Sequence, residues 1–188
     1  MNPLPTSATT FGSNSKTIIM KSTVIKYGLY GLVAGMLLFG GGLLFGEDLS
    51  YGAQEIIGYG SMVISLSFVF FGIRHYRDHV NGGHVTFGKA LIIGLLISMI
   101  VGLGVGVADY LYTTVINPDF AAEYLQTTLD GYKASMSEAE YEAQKDVLTQ
   151  QMQDYGGSGF MATLMFFTVV IIGFIISLIS ALILQKKN

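Results

Sequence analysis

At 188 residues, with 51% hydrophobic and only 12% charged side chains and a mean hydropathy of +0.54, the chain has the length of one domain and the composition of a membrane protein, which excludes an ordinary soluble fold. The absence of cysteine excludes disulfides, thiolate nucleophiles, iron–sulfur clusters and cysteine-linked lipid anchors. The net charge of −3 says little as a sum, because in a membrane protein it is the side on which each charge falls that matters.

Residues 1–21 are rich in Thr, Ser, Asn and Gly and include Pro3 and Pro5, a composition that predicts a disordered N-terminal extension. The apolar stretch that follows exceeds the roughly 7 to 15 residues of a signal-peptide core and lacks an Ala-x-Ala exit, so it reads as a retained span. Met20 stands where the compact part begins, which leaves Met1 and Met20 as alternative starts. Residues 22–188 then form one membrane domain. Its four apolar stretches, at 24–46, 56–73, 90–112 and 160–184, are each about 18 to 25 residues long, enough to cross hydrocarbon as a helix. No proline interrupts them, and hydrocarbon offers a peptide group no other hydrogen-bond partner, so each is expected to be helical. With no tryptophan, the interfacial aromatics must be tyrosines, and Tyr27, Tyr30, Tyr51, Tyr59, Tyr110 and Tyr112 lie near span ends.

Placing the spans sorts the charges. Lys16, Lys21, Lys26, Arg74, Arg77, Lys89, Lys186 and Lys187 fall on one side, eight of the ten basic residues, with Asp78 as the acid among them. By the positive-inside rule that side is cytoplasmic and holds both termini. On the other side fall Glu47, Asp48, Glu55 and Asp109, then Asp119, Glu123, Asp130, Glu138, Glu140, Glu142, Asp146 and Asp154 against only Lys133 and Lys145.

The third connection, residues 113–159, is the one sizeable extramembrane element. Asn117-Pro118 predicts a helix start, with a capping side chain before a proline at the first helical position, and Phe120, Tyr124, Leu125, Leu129 and Tyr132 recur at helical spacing. Ser137-x-x-Glu140 is a capping box opening a second helix, whose thinner apolar stripe of Leu148, Met152 and Tyr155 ends at Gly156-Gly157. The fold class is therefore all-α: four transmembrane helices with an acidic helical hairpin between spans 3 and 4. The hairpin is either a solvated cap or a docking surface for a partner.

Inside the spans the most regular pattern is a ridge of small residues. Ala90, Gly94, Ser98, Gly102 and Gly106 recur every four residues along span 3, and Gly173, Ser177 and Ala181 repeat the device in span 4. Such ridges let helix backbones approach closely. Span 1 carries shorter versions in Gly31 with Gly35 and Gly42 with Gly46. No ionisable residue is central in a span; Lys26 sits in a first turn where it can snorkel. Asp109, about a turn from the outer end of span 3, is either an interfacial residue or an oriented binding or protonation site.

The second connection holds all three histidines. His75 and His79 share a helix face at i, i+4 spacing, which suits a metal, but a structural site wants four ligands with a supporting shell. A surface extension of the helix ended by Asn81-Gly82-Gly83 is the better reading, with no metal expected. Arg74, Arg77 and Lys89 are placed to hold the phosphates of anionic lipid headgroups. There is no phosphate loop, Ser/His/Asp arrangement or zinc-protease motif, so neither catalytic residues nor a cofactor are assigned, and no nucleic-acid partner is expected.

The run Gly72-Ile73-Arg74-x-Tyr76-Arg77-Asp78-x-x-x-Gly82-Gly83-x-Val85-Thr86-Phe87-Gly88-Lys89-Ala90, followed after span 3 by Asn117-Pro118-Asp119-Phe120, resembles the bacterial membrane family called domain of unknown function 4199, over roughly residues 20–184. The resemblance implies a bacterial inner-membrane setting and, because that family has no established activity, carries over no catalytic or ligand role. The expected function is a non-enzymatic membrane component that packs with itself or with another membrane protein; the alternative is a subunit of a small-solute transporter or channel. An enzyme using the histidine loop is the weakest reading.

Overall fold

The computed structural model describes residues 8–46 and 49–186, so Glu47, Asp48 and Lys187 of the charge map lie outside the described residues, as do residues 1–7 of the extension and the side chains of Lys16 and Tyr51. Every named element is helical: α1 (Ala8–Phe45), α2 (Tyr51–His75), α3 (Phe87–Leu111), α4 (Phe120–Ser135), α5 (Glu138–Tyr155) and α6 (Ser158–Leu184). Two of them run on as a wider π-helical turn, α2 through Tyr76–Val80 and α3 through Tyr112–Ile116. Four segments are long and apolar enough to cross a membrane: Met20–Phe45, Gly52–Val80, Phe87–Ile116 and Ser158–Leu184.

Large apolar side chains face outward all along these four helices, among them Leu37 (70% exposed), Ile171 (61%) and Ile183 (65%). In water such surfaces would collapse on one another; in lipid they are matched by their solvent. The interior is built by α3, more than half of whose apolar stretch (56%) is buried, against 22% for α1 and 33% for α6. Ile93, Ile97, Val101 and Val105 of α3 are fully buried together with Leu66, Val69 and Ile73 of α2 and Val169 of α6.

The pairings give the directions of the helices. Gly28, Gly31 and Gly35 of α1 meet Ile100, Val101 and Val105 of α3 in ascending order, so these two run parallel. Gly94 meets Ser177 and Gly106 meets Ala162, so α6 runs against α3, and Gly42 against Ile57 sets α2 against α1. Residues 76–89 and 185–186 therefore lie at one end of the bundle, and residues 112–158 at the other.

Three expectations differ from what the structure contains. Where residues up to Lys21 were expected to be disordered, the backbone from Ala8 is helical and continuous with the first span, because extending a formed helix is far easier than nucleating one. Met20, inside it, packs against the core. The start of α4 falls two residues beyond the Asn117-Pro118 expectation: Asp119 is the N-cap, Pro118 sits in a turn, and Asn117 is extended at φ −130°, ψ 81°. The physical reason is that residues 117–120 close as a β-turn with Pro118 at its second position, a place that its fixed φ favours. Asn117 instead accepts the Phe120 N–H on its carbonyl at 3.2 Å and donates its side-chain amide to Glu123 at 2.9 Å. In α5, Leu148 and Met152 are half-buried but Tyr155 is 54% exposed and lies against the Phe160 ring at 5.0 Å, so the stripe is shorter than its spacing suggested.

Local signals set the ends that follow expectation. Gly82 (φ 65°) and Gly83 (φ 84°) turn the chain after Asn81, a conformation that a Cβ would strain, and the Gly83 N–H reaches the Arg77 carbonyl at 2.8 Å. At the start of α5 the Glu140 carboxylate accepts from the Ser137 hydroxyl at 2.7 Å and the Ser137 N–H at 3.1 Å. These two bonds, the hydroxyl first, hold the Glu140 carboxyl below its ordinary value. A depressed acid stabilises the fold above its unfolded pKa and loses that contribution as pH falls through its folded value. The first turn of α5 should accordingly fray in acid, read by amide hydrogen exchange at residues 138–142, and Glu140→Gln should lower protection at neutral pH while removing most of the acid dependence.

Candidate functional site

The two small-residue ridges meet. The Ser177 side chain lies over Gly94, where an added Cβ would come within 2.5 Å of its hydroxyl, and the Ser98 side chain lies over Gly173 in the same way. Each serine thus fills the notch left by the glycine of the other helix. The hydroxyls turn back on their own helices, Ser98 donating to the Gly94 carbonyl at 2.9 Å and Ser177 to the Gly173 carbonyl at 2.6 Å, so neither hydroxyl is left open. One turn further in the same register Ala90 falls opposite Ala181, and both are fully buried. Toward the other end, Gly102 lies against Phe166 and Gly106 against the Ala162 carbonyl, so close that an added Cβ would come within 3.1 and 3.0 Å of them, tighter than an ordinary van der Waals contact.

Sequence periodicity missed the second face of α3. Gly104 is out of register with the ridge, yet a Cβ there would meet Leu32 of α1 at 2.7 Å and its carbonyl at 2.9 Å. Gly72 of α2 is pressed between Ile97 and Tyr27. A lone glycine between large residues carries no pattern by itself, and only the partner helix reveals its use.

The lipid-contact candidates separate. Arg77 is engaged within the protein: its Nε donates to Asp78 Oδ1 at 2.6 Å, its Nη2 to Oδ2 at 3.1 Å, and its Nη1 to the Leu184 carbonyl at the end of α6 at 3.4 Å. Beside it, Val85 and Lys186 exchange backbone hydrogen bonds at 3.1 and 2.9 Å, tying the chain after α6 to the turn before α3. Arg74 reaches Asp78 only at 3.7 Å and keeps a side chain 60% exposed. Lys89 stands over the buried Tyr76 ring at 5.7 Å, as Lys26 stands over Tyr27 at 5.8 Å. All of these lie at one end of the bundle with Lys21.

His75 and His79 stack with ring centroids 5.0 Å apart, and Tyr27 closes on His75 at 5.4 Å. His84 is apart from them in the turn, where its carbonyl accepts from the Asn81 side chain at 2.6 Å. Among the described residues no three His, Cys, Asp or Glu side chains cluster as metal ligands would.

Asp109 is buried rather than interfacial, at 4% exposure, and its Oδ2 has no hydrogen-bond partner. The helix does not end near it: the π turn carries α3 on to Ile116. Seven residues beyond Gly102, Asp109 also falls on the ridge face that packs against α6. Thr113, one turn on, donates its hydroxyl to the Asp109 carbonyl at 2.9 Å, and Ser158 at the start of α6 donates to the Thr113 carbonyl at 3.0 Å. Beside Gly106 and Ala162, whose small side chains leave a hollow, an open apolar groove of about 290 Å³ reaches Val107, Tyr110 and Phe166.

A family model described as "Protein of unknown function (DUF4199)" matches residues 26–186, nearly the whole chain. No curated protein and no solved structure matches it.

Two outcomes follow from this geometry. Gly102→Leu and Ser98→Leu should lower thermal stability in detergent strongly, since overpacking a tight contact costs about 1–3 kcal/mol or more, whereas Leu103→Ile, at a side chain 55% exposed, should change it little. Arg77→Gln should lower the unfolding midpoint by several degrees through loss of the α6 clasp, while Arg74→Gln leaves the midpoint unchanged and weakens flotation with anionic vesicles. Equal midpoints for the two arginine variants would remove the clasp from the account.

Proposed function

The chain belongs to the DUF4199 family of proteins of unknown function, and on that footing we propose that it is a non-enzymatic, multi-pass membrane component that binds a partner through an acidic helical hairpin, α4 with α5, held outside the bilayer. The carrying observation is α5, none of whose residues is fully buried and which presents Glu138, Glu140, Glu142, Asp146 and Asp154. A helix that makes so little use of its own protein is free to meet another surface. The partner is a second copy of the chain or another membrane protein, docked by a basic or hydroxyl-rich face.

In this reading the membrane is the bacterial inner membrane, with both termini and the connection of residues 76–86 in the cytoplasm. Support comes from the separation of charge along the bundle axis: Lys21, Lys26, Arg74, Arg77, Lys89 and Lys186 at one end, the acids of α4 and α5 toward the other. At the basic end Arg74 and Lys89 face anionic headgroups, and Arg77 serves the fold. One observation favours the alternative, a subunit of a small-solute transporter or channel: an acid buried inside a span, at Asp109.

Because the chain has no cysteine, single cysteines report sidedness without background. Asp130→Cys and Gln151→Cys should react with a membrane-impermeant maleimide in intact spheroplasts, and Asn81→Cys and Gln185→Cys only after lysis. The reverse labelling would overturn the orientation. Site-specific photocrosslinking from residue 142 should give one discrete adduct, with a partner or between copies, and its absence at every exposed α5 position would remove the docking role.

A further inference from the structure

Asp109 is the one buried residue among the described Asp, Glu, His, Lys and Arg residues, and its Oδ2 has no hydrogen-bond partner. Among the described residues no ion pair includes it. The buried hydroxyls of Ser61, Ser65, Ser98, Thr113 and Ser177 all donate to backbone carbonyls four residues earlier. Ser158, which approaches from α6, donates to the Thr113 carbonyl.

The titratable groups of the elements packed around this end of α3 are few. On α3 and its π turn they are Tyr110, exposed, and Tyr112, buried; on α2, Glu55 and Tyr59, both exposed; at the start of α4, Asp119 and Glu123, both exposed, and Tyr124, half-buried; at the end of α5, Asp154 and Tyr155, both exposed. Residues 36–46 of α1 and 158–166 of α6 contain none, and Glu47 and Asp48 lie outside the described residues. The described ion pairs all lie elsewhere, at Asp78 and Glu142.

A carboxylate in such a place has lost its water and gained nothing for Oδ2, a loss that a charged group in a membrane helix cannot sustain without a neutralising partner. A divalent ion would want several oxygen ligands, and no cluster of three acidic or histidine side chains is present among the described residues. A proton needs one oxygen.

We propose that Asp109 is a proton-binding site: in the packed bundle Oδ2 carries a proton, exchanged with the medium at the end where α6 begins. The balance is a simple exchange, carboxylate plus proton to carboxylic acid, with no other bond made or broken. Ionisation places an unpartnered charge one turn from the Thr113 carbonyl, where the Ser158 hydroxyl joins the end of α3 to the start of α6. Proton occupancy and the seating of that junction are therefore linked. The inference goes beyond the partner-binding reading and is independent of it, because it holds for either orientation and needs no partner.

The test is infrared difference spectroscopy on the full chain in lipid nanodiscs, with aspartate carrying a ¹³C-labelled side-chain carboxyl. A carbonyl-stretch band of a protonated aspartic acid should persist at neutral pH, shift in D₂O and fade as the pH is raised. It should vanish in Asp109→Asn and survive in Asp119→Asn. As its band fades, the wild type should lose several degrees of thermal midpoint, while Asp109→Asn, which resembles the neutral acid in shape, stays level. Absence of a protonated-aspartate band in the labelled wild type at neutral pH would overturn the proposal even if Asp109→Asn failed to fold, and so would a band that Asp109→Asn leaves unchanged.

Discussion

The bundle depends on the reciprocal contact in which Ser98 covers Gly173 and Ser177 covers Gly94. Lipid tails are as apolar as leucine, so burying apolar surface does little to bring two membrane helices together, and the gain must come from dispersion contacts made at close range. Two glycines remove the Cβ atoms that would hold α3 and α6 apart, and two serines restore just enough volume to leave no void. Their hydroxyls are satisfied within their own helices, so the contact is polar in composition but costs no desolvated donor. With α6 docked on one face, α3 offers Gly104 and Val101 to α1 on another and Ile97 to α2 on a third. A single helix thus touches the other three membrane-length helices.

That central contact leaves the ends of the bundle to be closed by other means. At the basic end closure is polar and redundant: Arg77 clasps the end of α6, Val85 pairs with Lys186, and two glycines with positive φ turn the chain between α2 and α3. At the opposite end, among the described residues, the Ser158 hydroxyl joins the start of α6 to the Thr113 carbonyl, with Asp109 one turn below it. Spans tolerate charge at their ends, where side chains reach water, far better than at their centres. Asp109 departs from that pattern because the π turn lengthens α3 past the point where its apolar sequence seems to stop, carrying the acid inside.

The spans, their helical form and the ridge of span 3 were legible in the chain because each rests on a local or periodic property: length of apolar run, absence of proline, small residues every fourth position. Membership of the family was legible too, since the residues from Gly72 to Ala90 carry it. Boundaries fared less well at Asn117-Pro118, where the proline took the second position of a β-turn, which it favours as much as a first helical turn. The extension before Met20 was read from composition alone, which cannot register a helix growing backwards from a stable span.

What only the tertiary structure decided is which neighbour each residue meets. Arg74, Arg77 and Lys89 are alike in sequence context, yet Arg77 is engaged by Asp78 and the Leu184 carbonyl, 107 positions away, while Arg74 stays exposed. Gly104 looks incidental until Leu32 is set against it. Asp109 has interfacial spacing and a buried side chain, because its exposure depends on where α6 begins in space rather than on its own position along α3. The sequence by itself determined how many helices there are and which surfaces suit lipid, since hydrocarbon acts on every residue in the same way. Burial, pairing and the company of each charge were settled by the crossing of helices distant in the chain, which no local pattern encodes.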